Sequence, residues 1–125
     1  MRTQVLIIGG GPSGLLLSKL LHLSGIDCIT LEKHSKKHVM SRIRAGVLEQ
    51  GTVNLLKKAG VHKRIEKEGF RHNGIFLSAK NLSFRIDFKK LVNKSVTVYG
   101  QTEVTRDLYS SIERSNGIIF DSVKD

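Results

Sequence analysis

The sequence has a single cysteine, Cys28, so no disulfide framework can form, and a reducing compartment is the natural reading. Cys28 falls inside an apolar strand pattern, where a small core role fits best. No stretch approaches ~18 apolar residues, which argues against a membrane-spanning helix. The opening apolar run is short and leads into glycines, not into a cleavage site, so it does not fit a signal peptide. Internal repeats and low-complexity segments are absent. Acidic residues are scarce: 11 Asp and Glu face 21 Lys and Arg, a formal charge of +10. That balance would normally suggest a nucleic-acid partner. Here the basic residues are spread along the chain, and the aromatic residues sit in strand or core patterns, not between lysines. The densest block runs from Lys33 through Arg42 and Arg44 without an acidic residue. It reads as a solvated basic loop or as a landing surface for an anion. At 125 residues the chain is long enough for one real core.

What is present concentrates at the start. Gln4-Val5-Leu6-Ile7-Ile8 leads directly into Gly9-Gly10-Gly11-Pro12-Ser13-Gly14. An apolar helix pattern follows, then a second strand ending at Leu31-Glu32. Strand, G-x-G-x-x-G turn, helix, strand and acidic residue form the unit that holds a dinucleotide. Gly9 permits the tight turn, Gly11 lets backbone approach a pyrophosphate, and Gly14 lets the helix sit close to the strand. The helix N-terminus offers free N–H groups and partial positive charge to phosphates. Glu32 lies 18 residues beyond Gly14. A carboxylate there suits a ribose with a free 2′-hydroxyl, as in FAD or NAD, and disfavours a 2′-phosphate.

The fold class expected is α/β, a Rossmann-like βαβ unit with a small inserted antiparallel sheet. Residues 3–8 read as a buried parallel strand, Ser13 to Ser24 as a helix, and Asp27 to Leu31 as the next strand. Residues 33–46 read as a loop. A helix is expected from about Leu48 to Gly60, and a short one over 61–68. Alternation in 72–99 (Ile75, Leu77, Ala79; Leu82, Phe84, Ile86, Phe88; Val96, Val98) suggests the antiparallel insertion. Thr102 to Ser115 reads as a helix with Val104, Leu108 and Ile112 on one face and Thr102 as N-cap. Ile118 to Phe120 opens another strand.

Taken with the glycine turn and Glu32, two strings carry more specific information: Arg42 to Gly51 (RIRAGVLEQG) and Val96 to Leu108 (VTVYGQTEVTRDL). On these the chain resembles the N-terminal third of the class A flavoprotein aromatic hydroxylases of the 4-hydroxybenzoate 3-monooxygenase type, from Met1 to about Gly117. The resemblance implies that Gly9, Gly11, Ser13 and Gly14 bind the FAD pyrophosphate and Glu32 the adenosine ribose. It implies that Arg42, Ile43, Arg44, Ala45, Gly46 and Val47 wrap the ribityl and phosphate portion, with Gln101 a further contact. Arg44 stands out, because a planar, permanently charged fork suits phosphate. His72 matches a histidine that relays the substrate's phenolic proton, and a near-neutral reference pKa suits a shuttle.

The resemblance further implies NADPH or NADH as co-substrate, a small aromatic acid and O₂ as substrates, a cytoplasmic location and a homodimer at full length. No metal site, nucleic acid or membrane is expected. Lys33, His34 and His38 occupy the segment tied to nicotinamide recognition in the family. The family has an arginine and often an aromatic where this chain has Lys33 and His38, which leaves the nicotinamide preference open. Near Asn93-Lys94 the chain runs one residue shorter than the family. On this reading residues 1–125 are the N-terminal part of an FAD-binding domain, and 72–99 belongs to or borders the substrate domain. The later flavin motifs and the substrate-binding residues have no counterpart here, so the chain alone is expected to lack hydroxylase activity. Two other readings stay open: a stand-alone dinucleotide-binding module, and a basic nucleic-acid binder motivated only by the charge.

Overall fold

The computed structural model describes residues 2–124. Its centre is a parallel sheet of β1 (Val5–Ile8), β2 (Cys28–Leu31) and β8 (Ile118–Phe120), with β2 in the middle. The register pairs Ile7 with Thr30 and Thr30 with Ile119. Helix α1 (Pro12–Leu23) links β1 to β2, and α6 (Gln101–Arg114) leads into β8. Helix α1 packs on β1 and β2, and α6 packs against α1. The core lies between them and two further helices, α3 (Gln50–Lys58) and α4 (Lys63–Glu68). It contains Leu15, Leu56, Ile65, Val104, Leu108, Tyr109 and Ile112. Val104, Leu108 and Ile112 recur at helical spacing, which is why α6 buries one stripe.

The α/β class and the strand–turn–helix–strand order agree with the sequence reading, while several local expectations need correction. The basic stretch 33–46 is not all loop. It contains α2 (Lys36–Ser41), whose N-cap Ser35 accepts a hydrogen bond from the His38 amide at 3.3 Å. Helix α3 begins two residues later than expected, because Val47–Glu49 pairs as strand β3. Gly100, not Thr102, is the N-cap of α6, and Thr102 lies inside its first turn.

The insertion is two sheets, not one. β7 (Val96–Val98) lies between β3 and β4 (Phe70–His72), antiparallel to both. β5 (Gly74–Ala79) and β6 (Leu82–Asp87) form a separate hairpin. The alternation ends at Ile86, because the Asp87 side chain accepts from the Lys90 amide at 2.9 Å and starts α5 (Phe88–Val92). Phe88 is therefore helical.

Two glycines fix how α1 meets the sheet. Gly9 adopts φ +115°, a conformation L side chains rarely take, and turns the chain out of β1. At Gly14 a Cβ would lie 2.0 Å from the Gly9 carbonyl oxygen and 3.3 Å from Ile7 Cγ2. Gly14→Ala is therefore expected to lower the unfolding free energy by about 3 kcal/mol. Gly51→Ala, in α3 with nothing within 4 Å of the new methyl, is expected to raise it by about 0.5 kcal/mol. Urea denaturation of both variants checks the contrast, and equal midpoints would refute the close packing at Gly14.

Candidate functional site

The carboxyl ends of β1 and β2 are tied together first by backbone: the Gly9 amide donates to the Leu31 carbonyl at 2.7 Å. The next residue of β2's exit, Glu32, is buried and is the main polar strap. Its Oε2 accepts from the Gly10 amide at 2.7 Å, and its Oε1 accepts from the His34 amide at 2.8 Å. The His34 ring nitrogen Nδ1 lies 3.1 Å from the same Oε1. The backbone of Glu32 is held as well, since its amide donates to Phe120 and its carbonyl accepts from Val123. Burial opposes the charge on Glu32. The two amides and the His34 ring outweigh it and hold this carboxyl below the ordinary carboxylate range.

Beside this strap is an open cleft of about 200 Å³. Gly11 and Pro12, Glu32, His34 and His38, and Arg42, Arg44 and Gln101 all line it. Nothing lies within 4 Å of where a Gly11 Cβ would stand, so the turn faces open space where a ligand's phosphates would run. The first amides of α1 face an N-cap with no side chain to satisfy them. A second cleft of about 290 Å³ shares Pro12 and Gln101 with the first. It is apolar, with Ala45, Val47 and Leu48 over a floor of Leu16, Leu56 and Val104. The two together make a path with a charged end and an apolar end. That donor set fits a dinucleotide with its phosphates at the charged end and one of its two ring systems at the apolar end.

Of the residues singled out in the sequence, Gly11, Ser13, Glu32, His34, His38, Arg42, Arg44, Ala45, Val47 and Gln101 line one cleft or the other. Gly9, Gly14 and Gly46 act behind the walls. Lys33 and Ile43 are exposed outside the lining, with Ile43 92% accessible. His72 sits at the end of exposed β4 and lines a different hollow with Arg71, Phe76 and Arg85, sharing no lining residue with the clefts. The stacked His34 and His38 rings, 4.5 Å apart, follow from α2.

Sequence reasoning missed Val39, Thr105 and Tyr109. Val39 depends on α2, and Thr105 reaches the cleft one turn after Gln101, whose carbonyl its hydroxyl bonds at 2.8 Å. Tyr109 is 2% exposed, and its Oη has no partner among the described residues. It lies 3.1 Å from where a Gly10 Cβ would be. Burial, then the Glu32 charge, pushes its phenol up to about 12.

The FAD binding domain family matches residues 2–123. The chain belongs to this family. In this FAD-binding domain the path described above therefore has a natural ligand class. The p-hydroxybenzoate hydroxylase of Acinetobacter baylyi is 48% identical over 116 residues, covering 92% of this chain and 29% of that protein. Pentachlorophenol 4-monooxygenase of Sphingobium chlorophenolicum is 27% identical over 113 residues, covering 87% and 21%. The chain thus spans less than a third of the length of these curated relatives. Among solved structures, Pseudomonas aeruginosa PqsL with 2-aminobenzoylacetate superposes at a TM-score of 0.85 and 14% identity, over 96% of this chain and 33% of that one. Pseudomonas putida p-nitrophenol 4-monooxygenase PnpA gives 0.79 at 22% identity, over 94% and 31%. These likenesses establish the fold of the FAD-binding domain.

The Glu32 strap has a pH signature. Because its folded carboxyl is held below the ordinary range, its contribution is complete above the unfolded carboxyl range and is lost as pH falls through the folded value. Glu32→Gln is expected to be less stable than the parent near pH 6, with the gap closing on acidification. Chemical denaturation at a series of pH values reads this, and a gap independent of pH would contradict the strap.

Proposed function

We propose that this chain is the FAD-binding N-terminal segment of a flavoprotein hydroxylase of the 4-hydroxybenzoate 3-monooxygenase type. The observation that carries the proposal is the continuous path from Glu32 past Gly11 to Arg44, Gln101 and Val47, in a chain of this family. The 48% identity to a p-hydroxybenzoate hydroxylase supports the substrate class.

In this reading the amides at Gly11, Ser13 and Gly14 take the pyrophosphate at the positive end of α1. Glu32 keeps acceptor capacity for ribose hydroxyls beyond its two backbone bonds. Its negative charge repels a 2′-phosphate. Arg42 and Arg44 supply fixed positive charge, and Ile43 to Val47 with Gln101 shape the apolar end. FAD, when bound, supplies the redox chemistry, drawing electrons from NADPH or NADH to activate O₂. Overall, 4-hydroxybenzoate, O₂, NAD(P)H and a proton give 3,4-dihydroxybenzoate, NAD(P)⁺ and water. Lys33, His34 and His38 offer charge and stacking surface to the nicotinamide cofactor. His72 serves as a proton relay that takes up the substrate's phenolic proton, since a phenolate is the better nucleophile toward an electrophilic oxygen. The full-length protein is taken as a cytoplasmic homodimer.

FAD titrated into the chain is expected to lose fluorescence as it binds. Gly11→Val should abolish that signal while leaving the unfolding free energy from urea denaturation within about 1 kcal/mol of the parent, because the new side chain meets only open space and the cost is that of a poorer N-cap. A folded parent that leaves FAD fluorescence unchanged would refute the reading. For the hydroxylase assignment, a full-length form should oxidise NAD(P)H faster when 4-hydroxybenzoate is added, and no stimulation would reduce the protein to a binding module.

A further inference from the structure

Three of the proposed cofactor contacts, Arg44, Gly46 and Gln101, converge on one short segment. The Tyr99 amide donates to the Gly46 carbonyl at 2.7 Å. Gly46 has no room for a side chain there: a Cβ would stand 2.7 Å from Gly100 Cα and 2.7 Å from the Tyr99 oxygen. Gln101 follows at once as the first residue of α6. The loop that carries Arg44 therefore rests directly on Tyr99-Gly100, and a shift of that pair moves the loop and Gln101 together.

Tyr99-Gly100 is held in turn from behind. The Tyr99 side chain is 5% exposed, and its hydroxyl donates to Asp107 Oδ2 at 2.7 Å. Asp107 Oδ1 accepts from Arg64 Nη1 at 2.6 Å. Arg64 is clamped by two more carboxylates, donating to Glu103 Oε2 at 2.7 Å and Glu68 Oε2 at 2.9 Å. Its guanidinium also lies 6.0 Å from the Tyr99 ring centre. Burial, then the hydrogen bond to Asp107, holds the Tyr99 phenol well above its ordinary range, so it remains a donor at neutral pH. None of Tyr99, Arg64 or Asp107 lines either cleft.

We propose that the Tyr99 hydroxyl, fixed by Asp107 and Arg64, is a positioning group that sets the Arg42–Val47 loop and Gln101 for the flavin half of FAD. The proposal rests on the FAD reading above. It makes a demand that a purely structural role does not. ADP occupies only the charged cleft, where Arg42 and Arg44 are two contacts among several, whereas FAD also needs the apolar cleft that the Ala45 and Val47 end of the loop lines. Tyr99→Phe keeps the ring and its burial and removes only the hydroxyl.

The test is the dissociation constant of the 125-residue chain for FAD and for ADP, by fluorescence and calorimetry. Tyr99→Phe is expected to weaken FAD about tenfold and leave ADP within about twofold, the size of one lost positioning hydrogen bond. Asp107→Asn keeps an acceptor for the hydroxyl but loses the Arg64 ion pair, so a smaller split of about threefold is expected. It carries the test if Tyr99→Phe does not fold. Unchanged FAD affinity, or an equal loss for FAD and ADP, would overturn the proposal. A parent chain that binds ADP but not FAD would instead overturn the FAD reading on which it stands.

Discussion

The approach of α1 to the end of β1 is the constraint on which the rest of this structure depends. A helix can bring its first amides against a turn only if no side chain intervenes, and Gly14 against the Gly9 carbonyl leaves no such space. Once α1 is seated there, its apolar stripe directs Leu15 into the core shared with Leu108 and Tyr109 of α6. The same seating aims the helix N-terminus at the cleft and brings Gly10 within reach of Glu32. Fold and site are therefore one construction. The contact that closes the βαβ unit is also the contact that opens a place for phosphates.

Electrostatics complete what packing begins. Glu32 is the buried negative charge at the cleft, and it is stabilised by two backbone amides and the His34 ring, with no lysine or arginine paired to it among the described residues. Arg42 and Arg44 remain free to face a ligand, with no ion pair to either among the described residues. The other dense charge cluster sets Arg64 and Arg106 against three carboxylates, Glu68, Glu103 and Asp107, and so carries no positive excess. The positive excess of the chain is thus not one undivided surface. Part of it borders the cleft, whereas Arg64 is taken up in holding α4 to α6.

The site was more legible in the sequence than the sheets were. Glycine spacing and a strand-terminal Glu are local signals, and each residue type has one physical reason to stand where it does. Strand pairing is not local. Leu48 and Glu49 look like the start of a helix because their partner strand, β7, lies some fifty residues away in sequence. The alternation of 72–99 gives strands but not which strand each will join, so in sequence the hairpin and the β3-β7-β4 sheet look like one unit. Helix α2 leaves little trace in the sequence pattern, because a six-residue helix depends on its Ser35 cap more than on periodicity. The support from Tyr99 to Arg64 is not legible at all, since it joins side chains on α4 and α6 to a residue of the β7–α6 connection.

One face of the parallel sheet stays open. Leu6 and Ile8 are 53% and 78% exposed, and Ile118 and Phe120 lie on the same side by register. Parallel sheets are ordinarily covered on both faces. This open face and a match to under a third of each relative's length are consistent with a domain that continues in its longer relatives.

The most direct test of the account is a map of backbone amide shifts, by two-dimensional nitrogen–proton NMR, as FAD is added to the chain. The account expects the largest changes at Gly10 to Gly14, at Arg42 to Val47 and at Gln101, with the β5–β6 hairpin silent. Changes confined to the hairpin or to the open sheet face, with the glycine turn unmoved, would contradict it.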